Sequence, residues 1–175
     1  LPAGITSYTS IMYKDEDNIT PEKWINLEVT ANQMVPTWWI KKDFEICDSA
    51  IVAGTYMTPL TDAETIASQM ADLAFGYWKK FNRYDEFTYY CTSRSLEFYP
   101  MNPNAWIIRG KSLEQMIKKH LMRNGNTIDE YAAHLIRQME ETKRRLSRTY
   151  MTVETAESRD RRKKEIIEAR KLIKE

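Results

Sequence analysis

Glycine and proline are scarce in this chain, at five and six of 175 residues. A sandwich or barrel needs a turn signal roughly every ten residues, so all-β architectures are disfavoured. Cysteine is scarcer still. Cys47 and Cys91 are too few for a disulfide framework and lack the Cys-x-x-Cys spacing of a zinc or redox site. Two buried thiols are the plain reading, with one bridge in an oxidising compartment as the alternative. No apolar run approaches the roughly 18 residues a membrane helix needs, the longest uncharged stretch lying around Ala50 to Tyr56, so a soluble protein is expected. Glycine-rich phosphate loops are missing, and His120 and His134 stand outside any His-x-x-x-His or His-Glu-x-x-His pattern. The expectation is therefore no metal, no cofactor and no catalytic residue. Position 1 is Leu with no basic or apolar leader behind it, which reads as a processed mature chain or a fragment and leaves a cytoplasmic, periplasmic or secreted location open.

What is present favours helices. The mass of 20.7 kDa suits one domain, or one domain with an appendage, and 42% apolar with 11% aromatic residues suffices for a core. Five Trp and ten Tyr argue against disorder. The net charge of +1 conceals a division: residues 1–100 carry 8 Lys+Arg against 14 Asp+Glu, residues 101–175 carry 18 against 11. Such polarity suits an anionic partner for the C-terminal half, or complementarity between the halves, within one chain or head to tail.

Along the chain, residues 1–19 read as an N-terminal arm in which a short strand is allowed. Thr20-Pro21-Glu22 resembles a helix start, with Trp24, Leu27, Ala31 and Met34 at helical spacing and a stop before Pro36. Phe44, Cys47, Ile51 and Met57 allow a second helix. Thr61-Asp62-Ala63-Glu64 has the form of a capping box and opens a helix over 62–81. Further helices are expected from Asp85 to Phe98, from Asn102-Pro103 to Asn124-Gly125, and from a second capping box at Thr127–Glu130 to Tyr150. Residues 151–175 read as a basic C-terminal helix.

Gly76 and Gly110 fall 34 positions apart, as do Ala71 and Ala105. Glycine inside a helix costs about 1 kcal/mol relative to alanine, so two at matched positions ask for close approach of a partner helix. With Ser95-Leu96-Glu97-Phe98-Tyr99-Pro100 as a helix exit and Trp106, Gly110 and Leu113 at core spacing, the stretch from about 68 to 114 resembles the tetratricopeptide repeat family, built from 34-residue antiparallel helix pairs. Asp72, Lys79 and Arg109 depart from the family's Trp, Tyr and Leu. The resemblance implies an all-α fold of stacked antiparallel helical hairpins, a TPR-like superhelix, with the repeat-like domain over 20–150, its core over 62–124, and a long C-terminal extension. It also implies a non-enzymatic scaffold that binds a protein or peptide on its concave side. Carried over by position, that side comprises Met70, Leu73, Tyr77, Lys80 and Phe81 from one helix and Asn104, Ile107, Lys111, Glu114 and Gln115 from the next. The Lys and Asn with which some members clamp a terminal carboxylate are replaced here by Leu73 and Tyr77, so apolar anchors with some acidity are the expected ligand. The alternative is that these aromatics pack beneath the N-terminal helices.

Three competing readings come from the residues. The first is a helical appendage of a larger secreted or cytoplasmic enzyme. The stretch from Arg137 to Lys174, with 13 Lys+Arg against 7 Asp+Glu, suits nucleic acid, although interleaved aromatics are missing and pairs such as Glu157 with Arg161 suit a solvated helix. Trp38-Trp39 suits either a stacking platform for a sugar or base, or a wedge between two helices.

Overall fold

A computed structural model describes residues 8–12, 24–28, 33–151, 160 and 164. Its contacts divide the chain into two units, one of Cys47–Met151 and one of Leu1–Ile46 with Thr152–Glu175.

The second of these contains three strands, β1 (Tyr8–Met12), β2 (Trp24–Glu28) and β3 (Gln33–Val35), joined in the order β1-β2-β3. Both pairings are antiparallel, with Ile11 opposite Ile25 and Leu27 opposite Met34. The helix expected after Pro21 is thus replaced by two strands. Trp24, Leu27, Ala31 and Met34 fit a helical period, but Ile25 and Leu27 also alternate with Asn26 and Glu28. A β-branched, alternating segment that finds partners on both edges goes to sheet. Helix α1 (Thr37–Asp43) follows Pro36, which occupies its N-cap position. The single helix expected through Met57 is also corrected. The chain breaks at Glu45, whose φ is +51°, and resumes only as the short α2 (Asp48–Val52), before Gly54 turns at φ +76°.

The unit Cys47–Met151 is all-helical. Beyond α2 it contains α3 (Asp62–Phe81), α4 (Glu86–Phe98), α5 (Pro103–Arg123) and α6 (Glu130–Ser147). Each boundary has a local cause. The Thr61 amide donates to Glu64 Oε2 at 2.8 Å and the Glu64 amide donates back to Thr61 Oγ1, closing the expected capping box of α3. Asn82, at φ +50°, ends α3 in the left-handed conformation that asparagine tolerates. Asp85 accepts the Phe87 and Thr88 amides at the start of α4, and Asn102 accepts the Ala105 amide ahead of Pro103 in α5. At α6 the expected box of Thr127 and Glu130 does not form. Asp129 is the cap, accepting the Ala132 amide at 2.8 Å, because its carboxylate sits at the position from which that amide is reached.

Packing is sequential: α3 lies on α4, α4 on α5, α5 on α6, and α3 also meets α5. The connections Asn82–Asp85, Tyr99–Asn102 and Asn124–Asp129 are short, so consecutive helices run antiparallel. Two buried clusters form the core. One joins Ala71, Leu96, Ala105 and Trp106, the other Ala74, Cys91 and Ile108. Ala71 and Ala105, and likewise Ala74 and Ile108, are related by the 34-residue offset, and each pair meets in one cluster. The glycines behave otherwise. A Cβ on Gly76 would meet nothing within 4 Å, and one on Gly110 would make an ordinary 3.6 Å contact with Thr142. Gly76 is exposed and admits no close-packed helix, so the expected pair of glycine notches is corrected: small alanines, not glycines, set the spacing of α3.

Polar groups within this core are paired. Thr88 and Ser112 share a hydrogen bond between α4 and α5, Ser95 Oγ donates to the Ala67 carbonyl of α3 at 2.6 Å, and Thr55 Oγ1 donates to the Thr149 carbonyl at 2.7 Å. The last of these ties the segment after α2 to the turn after α6.

Candidate binding surface

Helix α3 has two apolar sides of different character. Ala67, Ala71 and Ala74 are buried, and these small side chains let α4 and α5 come close. Around the helix from them, Ile66, Met70, Leu73, Tyr77 and Phe81 recur every three or four residues and form one stripe. Ile66 is 61% exposed, Leu73 56% and Phe81 50%, while Met70 and Tyr77 are half-buried. Thr65, Gln69, Asp72 and Gly76 are exposed on the side away from the alanines, so α3 keeps a polar outer face and leaves its large apolar side chains exposed along one border of the packed face.

The C-terminal end of the stripe is an aromatic and basic cluster. The Tyr77 ring lies 4.8 Å from Phe81 and 4.6 Å from Phe87 of α4, centroid to centroid. Its hydroxyl donates to Asp85 Oδ2 at 2.8 Å and accepts from the Arg83 guanidinium, which also pairs with Asp85 at 3.1 Å. The Arg83 guanidinium stacks over Tyr77 and Phe81, and Lys80 Nζ lies 5.4 Å from the Phe81 centroid. Tyr77 is thus held by the cap of α4, and what it offers outward is ring surface. On the adjoining side Lys79 lies over Phe75 and Trp78, and Trp78 stacks on Tyr84, whose hydroxyl pKa is pushed up by burial.

From α5 the residues selected by position are more polar. Asn104 and Ile107 are half-buried, and Lys111, Glu114 and Gln115 are exposed. Lys111 Nζ pairs with Glu114 Oε2 at 3.0 Å across one turn, so part of its charge is already answered. The contact between α3 and α5 makes the helices carrying both sets of selected residues neighbours. Three residues of this surface were not singled out from the sequence. Ile66 stands one turn before Met70 and was accessible to helical spacing. Phe87 and Arg83 join only because the α3–α4 turn folds them back onto Tyr77.

Other candidates are placed as follows. His120, in the last turn of α5, has its Nε2 2.9 and 3.0 Å from the two Asp129 oxygens, with Asn124 donating to the same carboxylate and Tyr131 edge-on to the imidazole. The Ala132 amide, then His120, holds the Asp129 carboxyl below the usual carboxylate range. His134 is exposed on α6. Cys47 is exposed, with its thiol donating to the Tyr150 carbonyl, and only Cys91 is buried, which corrects the expectation of two buried thiols; both are free. Burial pushes the Cys91 thiol up. Trp38 is 65% exposed and so wedges nothing, while the Trp39 side chain lies outside the described residues. Of the basic stretch, Arg144 and Arg145 both pair with Glu141. Arg137, Lys143 and Arg148 are exposed, while the part beyond Met151, with the expected helix over 151–175 and the Glu157–Arg161 pair, lies outside the described residues apart from Asp160 and Lys164, both helical and exposed.

Among the described residues no helix is long and apolar enough to cross a membrane, and no group of three His, Cys, Asp or Glu side chains is placed to hold a metal ion. No family model matches the chain, and no curated protein or solved structure matches it.

Proposed function

We propose that this chain is a non-enzymatic protein- or peptide-binding scaffold of TPR-like type, whose ligand lies along α3 and α5 with apolar side chains seated on Leu73, Tyr77 and Phe81 and acidic ones near Lys80 and Lys111. The observation that carries the reading is the stripe of large apolar residues that α3 leaves exposed along the border of its buried alanine face. The sharing of core clusters by residues 34 positions apart, and the α3–α5 contact, support a stack of helical hairpins in which the first helix of each pair lines one side. Fully burying a Leu or Phe side chain is worth about 1.5–3 kcal/mol. Several half-exposed ones, offset by the cost of ordering a ligand, suit dissociation constants of about micromolar order.

The test is selection of binders from a displayed library of random 15-residue peptides, followed by fluorescence anisotropy with the purified chain. Selected peptides should carry apolar residues beside Asp or Glu, and should lose at least about tenfold in affinity on Leu73→Asp and a smaller factor on Lys111→Glu. Binders indifferent to both substitutions, or none at all, would remove the assignment.

A further inference from the structure

We infer that the α3 stripe is self-complementary and that a second copy of this chain docks on it antiparallel, about a two-fold axis. The inference rests on the reading of α3 as a protein-binding face and names its partner.

An isologous contact requires one surface to match itself after a half-turn, so its apolar positions must be symmetric and its charges must change sign from one end to the other. The stripe meets the first condition at four of its five apolar positions, Phe81 falling opposite Asp62, and the second at its two ends. Ile66 and Tyr77 are equally distant in sequence from the midpoint between positions 71 and 72, and so are Met70 and Leu73. Rotation about that midpoint sets Ile66 against Tyr77 of the second copy and Met70 against Leu73. Asp62 stands at the beginning of α3 and Lys80 near its end, both exposed. They are 18 positions apart, which at about 3.6 residues per turn is five turns, so both lie on the same flank of the stripe. In an antiparallel pair a flank faces its own counterpart, which brings Asp62 of each copy toward Lys80 of the other. In a parallel pair Asp62 would lie level with Asp62 on opposite flanks, and no pair with Lys80 would form.

From Asp62 to Lys80 the helix rises about 27 Å, and a face about 10 Å wide gives a footprint of roughly 270 Å² per copy. That is well below the roughly 800 Å² per partner of a standard interface, which places the dimer among weak, reversible assemblies with dissociation constants of about micromolar order. Such a dimer competes with any other ligand for the same stripe, so a guest peptide binds the monomer.

The test is sedimentation equilibrium of the full chain from about 1 to 200 μM, spanning the expected range. The expected result is a reversible monomer–dimer equilibrium, weakened at least about tenfold by Leu73→Asp, a substitution at an exposed position that should leave the circular dichroism unchanged. Asp62→Lys and Lys80→Asp should each weaken the homodimer, because each leaves the flank with one sign of charge. An equimolar mixture of the two should recover a heterodimer in which both cross-pairs are complementary. A chain that stays monomeric to the highest concentration, a dimer untouched by Leu73→Asp, or a mixture that gains nothing over the single variants overturns the inference. A monomer that still binds selected peptides through Leu73 retains the scaffold reading, whereas a monomer that binds none loses both.

Discussion

The side-chain oxygens of Thr88 on α4 and Ser112 on α5 lie 2.7 Å apart, with both residues wholly buried. Each also lies within reach of a carbonyl of its own helix, Thr88 Oγ1 of Asp85 and Ser112 Oγ of Ile108, and with one proton apiece one hydroxyl donates across the pair while the other donates to its carbonyl. The pair therefore joins the cap of α4 to the middle of α5. A neutral buried hydrogen bond contributes about 1 kcal/mol net, and a stranded hydroxyl costs more. In a double-mutant cycle of Thr88→Val and Ser112→Ala, urea unfolding should give a coupling of about 1 kcal/mol, and the double variant should be less damaged than the sum of the singles. Additive effects would mean that the contact carries no energy.

Arg109 joins three helices. Its guanidinium donates to Ser93 Oγ and Tyr89 Oη on α4, and to the Gln138 carbonyl, Gln138 Oε1 and Thr142 Oγ1 on α6, while lying over the Tyr89 and Trp106 rings. Those contacts use all of the guanidinium donors with neutral acceptors. Arg109→Ala should destabilise by about 2–4 kcal/mol, through lost packing and stranded acceptors. Arg109→Lys should recover little, since an ammonium has three donors and no planar fork. Chemical denaturation measures both, and a lysine variant as stable as the parent would show that charge alone, and not geometry, matters at this site.

At the glycines the expectation is gain, not loss. Gly76 lies inside α3 with open space where a Cβ would go, so Gly76→Ala should stabilise by about 0.5–1 kcal/mol. Gly110→Ala places a methyl at ordinary contact distance from Thr142 and should also be tolerated, with a gain no larger than that at Gly76. Thermal melts decide it: a lowered Tm at Gly76→Ala would restore the notion of a helix packed against that position.

Two groups set opposite limits of pH. Burial, with Tyr99 and Cys47 nearby, pushes the Tyr56 hydroxyl up to about 12. A folded value above the unfolded one of about 10 favours the neutral phenol in the folded state. Its contribution is complete below pH about 10 and is lost as the pH rises through about 12, so Tyr56→Phe should flatten the alkaline limb of stability in that window. Asp129 is depressed instead, so its contribution is present above the unfolded value of about 3.9 and disappears as the pH falls through its lower folded value. Asp129→Asn should remove part of the acid limb. Stability curves between pH 2 and 12 that match the parent in both variants would contradict these assignments.

Much of the helical unit was legible because its signals are local. Thr61 with Glu64, Asn102 with Pro103, Pro100 and the Asn124-Gly125 pair each act within one turn of chain, and α3, α4 and α5 begin and end within about a residue of where those signals place them. Trp24 to Val35 failed for the converse reason: the segment fits two periods, and pairing with β1 decides between them. Within the candidate surface, helical spacing selected Met70, Leu73, Tyr77 and Phe81, but no local signal revealed that Leu73 and Phe81 stay exposed while the alanines beside them are buried.

The sequence by itself therefore determined where the helices of Cys47–Met151 lie and which positions recur at 34 residues, since capping, proline placement and hydrophobic period are set by near neighbours along the chain. Only the tertiary structure decided which side of α3 is covered, that Arg109 spans three helices, and that Gly76 faces open space. Those outcomes depend on how closely distant helices approach, and that distance is set by the summed volumes of side chains contributed from several elements at once.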